Sequence, residues 1–204
     1  LLIGPWYILP DEFLVSPEAT IRNLLHGERA TRPFGGRMMV GYLPDPFGHV
    51  SQMPQILRGF GIEDAVLRRG LDDQPGELWW QAPDGSRVFL AYLREGYGNA
   101  AHLPAGLPDA FAAEVARLRD ELRPHIQTAQ VLLMYGTDHA EPAPGTGRAI
   151  EHTQAALDDR VLHSTLPAYL QAVCEEITQK GIAIPTVYGE LRSGKRHDLL
   201  PGVL

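Results

Sequence analysis

Apolar positions along the chain follow two rhythms, and the two alternate. Short apolar runs at residues 6–9, 38–42, 65–67, 131–135, 161–163 and 186–188 predict strands. Between them the spacing turns helical. Ile21, Leu24 and Leu25 predict a helix that Ser16 caps, with Pro17 at its first position. Met53, Ile56 and Leu57 predict one over about 51–59, and Phe111, Val115, Leu118 and Leu122 one over 108–123. A further helix is expected near 144–157, and Ser164 caps another that carries Leu170, Val173, Cys174 and Ile177. Residues 78–92 have a different texture and read as a β-hairpin turning at Asp84-Gly85, expected as an insertion or rim structure. Alternating strands and helices with short links predict an α/β fold whose parallel sheet is either open or closed into a barrel.

Composition narrows the function classes. At 204 residues, 44% hydrophobic and 21% charged, the chain has the balance of a globular protein large enough to bury a sizeable core. A formal net charge of −7 argues against a nucleic-acid partner, which calls for a basic face. No apolar run approaches the ~18 residues of a membrane span. The single cysteine, Cys174, excludes an internal disulfide and a cysteine-rich zinc module, and fits a reducing, cytoplasmic location. Both ends are apolar, Leu1-Leu2-Ile3-Gly4 and Leu200-Pro201-Gly202-Val203-Leu204, and read as cuts through a larger polypeptide.

The chemistry concentrates at Gly41-Tyr42-Leu43-Pro44-Asp45-Pro46-Phe47-Gly48-His49. A strand delivers one carboxylate, Asp45, to a turn stiffened by prolines on both sides. Strand carboxyl ends are where α/β proteins gather reactive groups; a helix-capping Asp is the plainer alternative. Gly136-Thr137-Asp138-His139 follows the 131–135 run in the same manner, so two carboxylates would share one mouth if both strands lie parallel in one sheet. Such a pair is the minimum apparatus for cleaving a glycosidic bond. His49 and His139 are candidate metal ligands beside these carboxylates, with a loop-orienting role preferred for His49. Arg68-Arg69 follows the 65–67 strand, and one of the two can point into the mouth to steady Asp45. Of Trp79 and Trp80, only one can face a ligand, because neighbours in a strand point to opposite sides.

The run from Gly41 to Leu57, GYLPDPFGHVSQMPQIL, resembles the catalytic domain of glycoside hydrolase family 38, the retaining zinc-dependent α-mannosidases. Blocks at 4–25, 65–70, 79–88, 132–139 and 188–204 agree in order, in the style of the bacterial branch that includes mannosylglycerate hydrolases. The resemblance implies that Asp45 is the nucleophile and a zinc ligand, that Asp138 is the general acid/base, and that Arg69 is the substrate-site arginine beside the nucleophile. It implies a seven-stranded (β/α) barrel, of which residues 1–204 are the central part of the catalytic domain. One Zn2+ is the implied cofactor. The family's other zinc ligands fall before residue 1 and after residue 204, so this chain alone is expected to bind no zinc tightly and to be inactive. The implied partner is an α-mannoside, an oligosaccharide or a small glycoside, with no nucleic acid or membrane; a homo-oligomer is compatible. The alternatives are a hydrolase of mannosylglycerate or its phosphorylated form, an inactive carbohydrate-binding barrel, and a polysaccharide deacetylase-like enzyme.

Overall fold

The computed structural model describes residues 2–195; the last part of the 188–204 block, His197 included, lies outside the described residues. The chain divides into two compact units. One comprises the residues up to Arg94 together with those from Gly181 onward, and the other runs from Glu95 to Lys180.

The first unit is built on a five-stranded mixed sheet in the order β1-β2-β4-β3-β5. Its strands are β1 (Gly41–Leu43), β2 (Asp64–Leu67), β3 (Glu77–Gln81), β4 (Arg87–Tyr92) and β5 (Thr186–Tyr188). β1, β2 and β4 run parallel, β3 is antiparallel to β4, and β5 runs parallel with β3. The described residues therefore form a mixed sheet, and a closed seven-stranded barrel is not present among them. The predicted hairpin forms, but it is no insertion: β4 lies in the middle of the sheet. Val88, Phe89, Leu90, Ala91 and Tyr92 are all buried, as a strand covered on both faces requires.

Two helices flank these strands, α1 (Pro17–Thr31) and α2 (Met53–Gly59). Ser16 caps α1 as its sequence predicts, its hydroxyl accepting the Ala19 N–H at 3.2 Å. Leu24 of α1, Met53 and Leu57 of α2, Leu43, Leu67, Leu78, Trp80 and Leu90 fill one apolar core. Each fully buried leucine contributes about 1.5–3 kcal/mol of transfer free energy.

The second unit carries α3 (Pro108–Leu122), α4 (Thr146–Ala156) and α5 (Leu166–Lys180). Phe111, Val115 and Leu118 of α3 pack with Ala149 of α4, Ala100 and Leu103. Thr165, rather than Ser164, caps α5, accepting from the Ala168 N–H at 3.4 Å. Cys174 is half-buried on α5 and free of any disulfide.

Three predicted strands do not form, for a shared reason. At 6–9 the Tyr7 and Ile8 N–H groups donate to Asn23 Oδ1 (2.8 and 3.1 Å), and Asn23 Nδ2 returns a bond to the Ile8 carbonyl at 2.5 Å. At 131–135 the Met134 N–H donates to Asn99 Oδ1 (2.7 Å), and Asn99 Nδ2 donates to the Leu132 carbonyl (3.1 Å). At 161–163 the Val161 N–H donates to Gln154 Oε1 at 2.8 Å. In each, a side-chain amide supplies the donor or acceptor that a neighbouring strand would have supplied.

Candidate active site

Leu43 pairs with Leu67 at the end of the β1–β2 ladder. Asp45 and Arg69 each lie two residues beyond this pair, so equal steps past parallel strand ends bring them side by side. Arg69 Nε and Nη2 both donate to Asp45 Oδ1, at 2.9 and 2.6 Å, and Nε also reaches the Asp45 carbonyl at 3.2 Å. Neither side-chain bond uses Oδ2. The carboxylate is partly open, with 37% of the side chain exposed against 11% for Arg69. A charge-assisted fork in this setting contributes about 1.5–3 kcal/mol to holding the carboxylate. Beneath the guanidinium lies the Phe47 ring, its centroid 4.3 Å from Arg69 Cζ.

The turn 45–50 is held from two directions. Asp11 Oδ1 accepts the Phe47 N–H at 3.1 Å, and the buried Glu12 accepts the Val50 N–H at 2.8 Å and meets His49 Nδ1 at 2.6 Å. From the other direction, His49 and Leu191 exchange backbone bonds of 2.9 and 3.0 Å, and Gly70 pairs with Ser193. Glycine is required at 70: its φ is 86°, and a Cβ there would lie 2.5 Å from the Leu191 carbonyl oxygen. His49 is fully buried, edge-on to Trp80 with ring centroids 5.8 Å apart, in keeping with a loop-orienting residue. Trp80 is itself buried and donates to the Gly189 carbonyl, while Trp79 packs under Arg87 and against Phe89.

Asp138 belongs to the second unit. Residues 131–135 form no strand there, so Asp138 does not follow a parallel strand of the sheet that carries Asp45. It is exposed, and the Tyr97 hydroxyl donates to its Oδ2 at 3.2 Å. The Gly98 backbone permits this approach, since a Cβ there would lie 3.1 Å from the Gly136 carbonyl oxygen. His139, next in sequence, has φ 59° and lies on the surface.

Zinc needs at least three protein donors, and among the described residues no three His, Cys, Asp or Glu side chains converge. Asp45 offers one oxygen, Oδ2. The described residues by themselves do not fit a zinc ion.

Sequence spacing did not single out Asp11, Glu12, Phe47 or Tyr97 as site residues. Asp11 and Glu12 lie far upstream of the turn they hold, and only the folded chain brings them there. None of the helices among the described residues is long and apolar enough to cross a membrane.

Residues 1–189 match the glycosyl hydrolases family 38 N-terminal domain. A Halalkalibacterium halodurans protein named "Putative mannosylglycerate hydrolase" is 38% identical over 211 residues, 96% of this chain and 23% of that protein. A Saccharomyces cerevisiae alpha-mannosidase is 24% identical over 208 residues, covering 97% of this chain and 17% of its own length. The crystal structure of an alpha-mannosidase from Enterococcus faecalis V583 superposes with a TM-score of 0.88 at 32% identity, over 94% of this chain and 22% of that one. The chain thus spans about a quarter or less of the length of these relatives.

Proposed function

The chain belongs to glycosyl hydrolase family 38, and from that premise we propose that it forms the nucleophile-bearing part of a retaining α-mannosidase. The observation that carries the reading is the Asp45–Arg69 pair: a half-open carboxylate at a parallel strand end, oriented through one oxygen with the other left over. Asp45 Oδ2 attacks the anomeric carbon of a terminal α-linked mannose, and the leaving oxygen takes a proton from Asp138. The covalent glycosyl-enzyme is then hydrolysed by water, which gives its proton to Asp138 as the bond to Asp45 breaks. Tyr97, bonded to Asp138 Oδ2, orients that carboxyl group. Arg69 keeps Asp45 aimed throughout.

In this reading residues 1–204 are a segment of the catalytic domain, completed as a (β/α) barrel by chain outside them, and the enzyme works in the cytoplasm. Zinc would take Asp45 as one ligand and the rest from outside the described residues.

The relative named for mannosylglycerate, 38% identical across 96% of the chain, supports a second reading in which the aglycone is glycerate or its phosphorylated form.

The test uses the full gene product that carries these residues. Under the first reading it releases mannose from 4-nitrophenyl α-mannoside and α-mannosyl oligosaccharides; under the second, kcat/KM is at least tenfold higher for mannosylglycerate. A 2-fluoromannosyl adduct on a peptide containing Asp45, found by mass spectrometry, supports the nucleophile. Asp138→Ala should lose far more activity on poor leaving groups than on dinitrophenyl mannoside, because an activated leaving group needs no proton. Equal loss on both substrates would remove Asp138 from the acid/base role.

A further inference from the structure

We propose that Glu12 is a positioning residue for the Asp45 turn, acting through His49 and Val50, with Asp11 assisting through Phe47. The inference rests on the reading of Asp45 as nucleophile.

Glu12 is buried, with 3% of its surface exposed, which is a costly place for a carboxylate unless both oxygens are satisfied. Both are. Oε1 faces His49 Nδ1 at 2.6 Å, and Oε2 accepts the Val50 N–H at 2.8 Å. Asp11, the residue before, takes the Phe47 N–H at 3.1 Å. Two consecutive carboxylates therefore hold three of the four residues from Phe47 to Val50. Pro46 links that held stretch rigidly to Asp45, and the Gly48 N–H folds back onto the Pro46 carbonyl at 2.9 Å.

The His49 ring depends on Glu12 for its polar anchorage. Its Nε2 is buried and has no hydrogen-bond partner among the described residues. A Glu12 carboxylate offers acceptors alone, so with Oε2 taking the Val50 N–H, Oε1 pairs with a His49 Nδ1 that carries the ring proton. Glutamine can keep both bonds only by turning its NH2 group onto Nδ1 and moving the ring proton to the buried Nε2, which has no acceptor among the described residues. A residue that served only to fill the core would tolerate that change in activity, whatever it cost in stability.

The experiment compares Glu12→Gln with Leu24→Ala in the full gene product. Leu24 is a fully buried core residue of α1 outside the site, so its loss reports what destabilisation alone does. Glu12→Gln should lower kcat on an α-mannoside at least tenfold with KM changed less than twofold. Leu24→Ala, at an equal or larger drop in Tm, should keep kcat within twofold. If the two variants lose activity in proportion to their Tm, the proposal is overturned. Should Glu12→Gln fail to fold, Asp11→Ala serves instead: a kcat reduced about fivefold upholds the Asp11 grip, and an unchanged kcat rejects it.

A readout independent of turnover separates this idea from the proposed function. Imidazole 15N shifts of His49 should show the proton on Nδ1, with that signature lost in Glu12→Gln and residues 45–50 displaced in its crystal structure. An unmoved turn overturns the positioning role even if the enzyme is a mannosidase. A wild-type protein inactive on every mannoside overturns the function while these shifts and coordinates still decide the role of Glu12.

Discussion

Arg69 directs two of its nitrogens, Nε and Nη2, onto a single oxygen of Asp45, at 2.9 and 2.6 Å. Converging both bonds on Oδ1 pins that oxygen and leaves Oδ2 uncommitted to Arg69. A lysine can bring the charge but not the fork. Arg69→Lys should therefore lower kcat/KM by about 100-fold, the scale of a misplaced reacting group, while moving Tm little. Steady-state kinetics beside a thermal melt check both halves of this expectation.

Gly27 lies inside α1, where alanine ordinarily stabilises a helix by about 1 kcal/mol. Here the sign reverses. A Cβ at this position would lie 2.0 Å from the Pro5 carbonyl oxygen and 2.8 Å from the Tyr7 nitrogen. Gly27→Ala should destabilise by about 1–3 kcal/mol, read from denaturant unfolding of the two proteins.

Asp64 opens β2, and burial pushes its carboxyl above the ordinary aspartate range, with the neighbouring Glu63 charge adding to the effect and Arg58 opposing it. The folded state thus holds the proton to higher pH than the unfolded chain does. Stability is greatest below the ordinary aspartate value and declines as pH rises through the raised one, a loss that persists at neutral pH. Asp64→Asn should melt higher than wild type at pH 7, with the difference shrinking as pH falls below the ordinary aspartate value. An equal difference across the whole range would contradict this.

Glu176 of α5 has the opposite sign. Lys180, then Gln130 and the Ala129 N–H, bond to its carboxylate and hold its pKa at about 2. Its contribution is complete above the ordinary glutamate value and is lost as pH falls through that value towards about 2. Glu176→Gln should cost about 1.5–3 kcal/mol at pH 7 and much less at pH 2.5, measured by urea unfolding at each pH.

Local patterns carried most of the fold. The Ser16-Pro17 start of α1, the hairpin at Asp84-Gly85 and the helical stripe of α3 all depend on short-range spacing, and all appear in the structure. The failures share a cause that spacing cannot register. Apolar runs at 6–9, 131–135 and 161–163 have the composition of strands, yet Asn23, Asn99 and Gln154 supply their backbone groups with partners from elsewhere in the sequence. The placement of β4 in mid-sheet went unread because a hairpin pattern does not say what its second strand pairs with on the other side.

Within the site, the Asp45 turn was legible from its own residues. Choosing Arg69 as its partner relied on family resemblance, and the reason for that pairing lies in the β1–β2 register. Asp11 and Glu12 could not be found from spacing, since burial and contact across the fold define them.

A chain made from its N-terminus exposes the Asp45 turn early and keeps it waiting. One of its two fastenings, the backbone exchange between His49 and Leu191, involves a residue made far downstream of the turn, and Ser193, which reaches Gly70, follows it. Until that stretch emerges the turn has the acidic grip of Asp11 and Glu12 alone. A chain ended before residue 189 would have Asp45 in place and its clasp undone. The order of manufacture thus makes completion of this stretch a condition for a finished site.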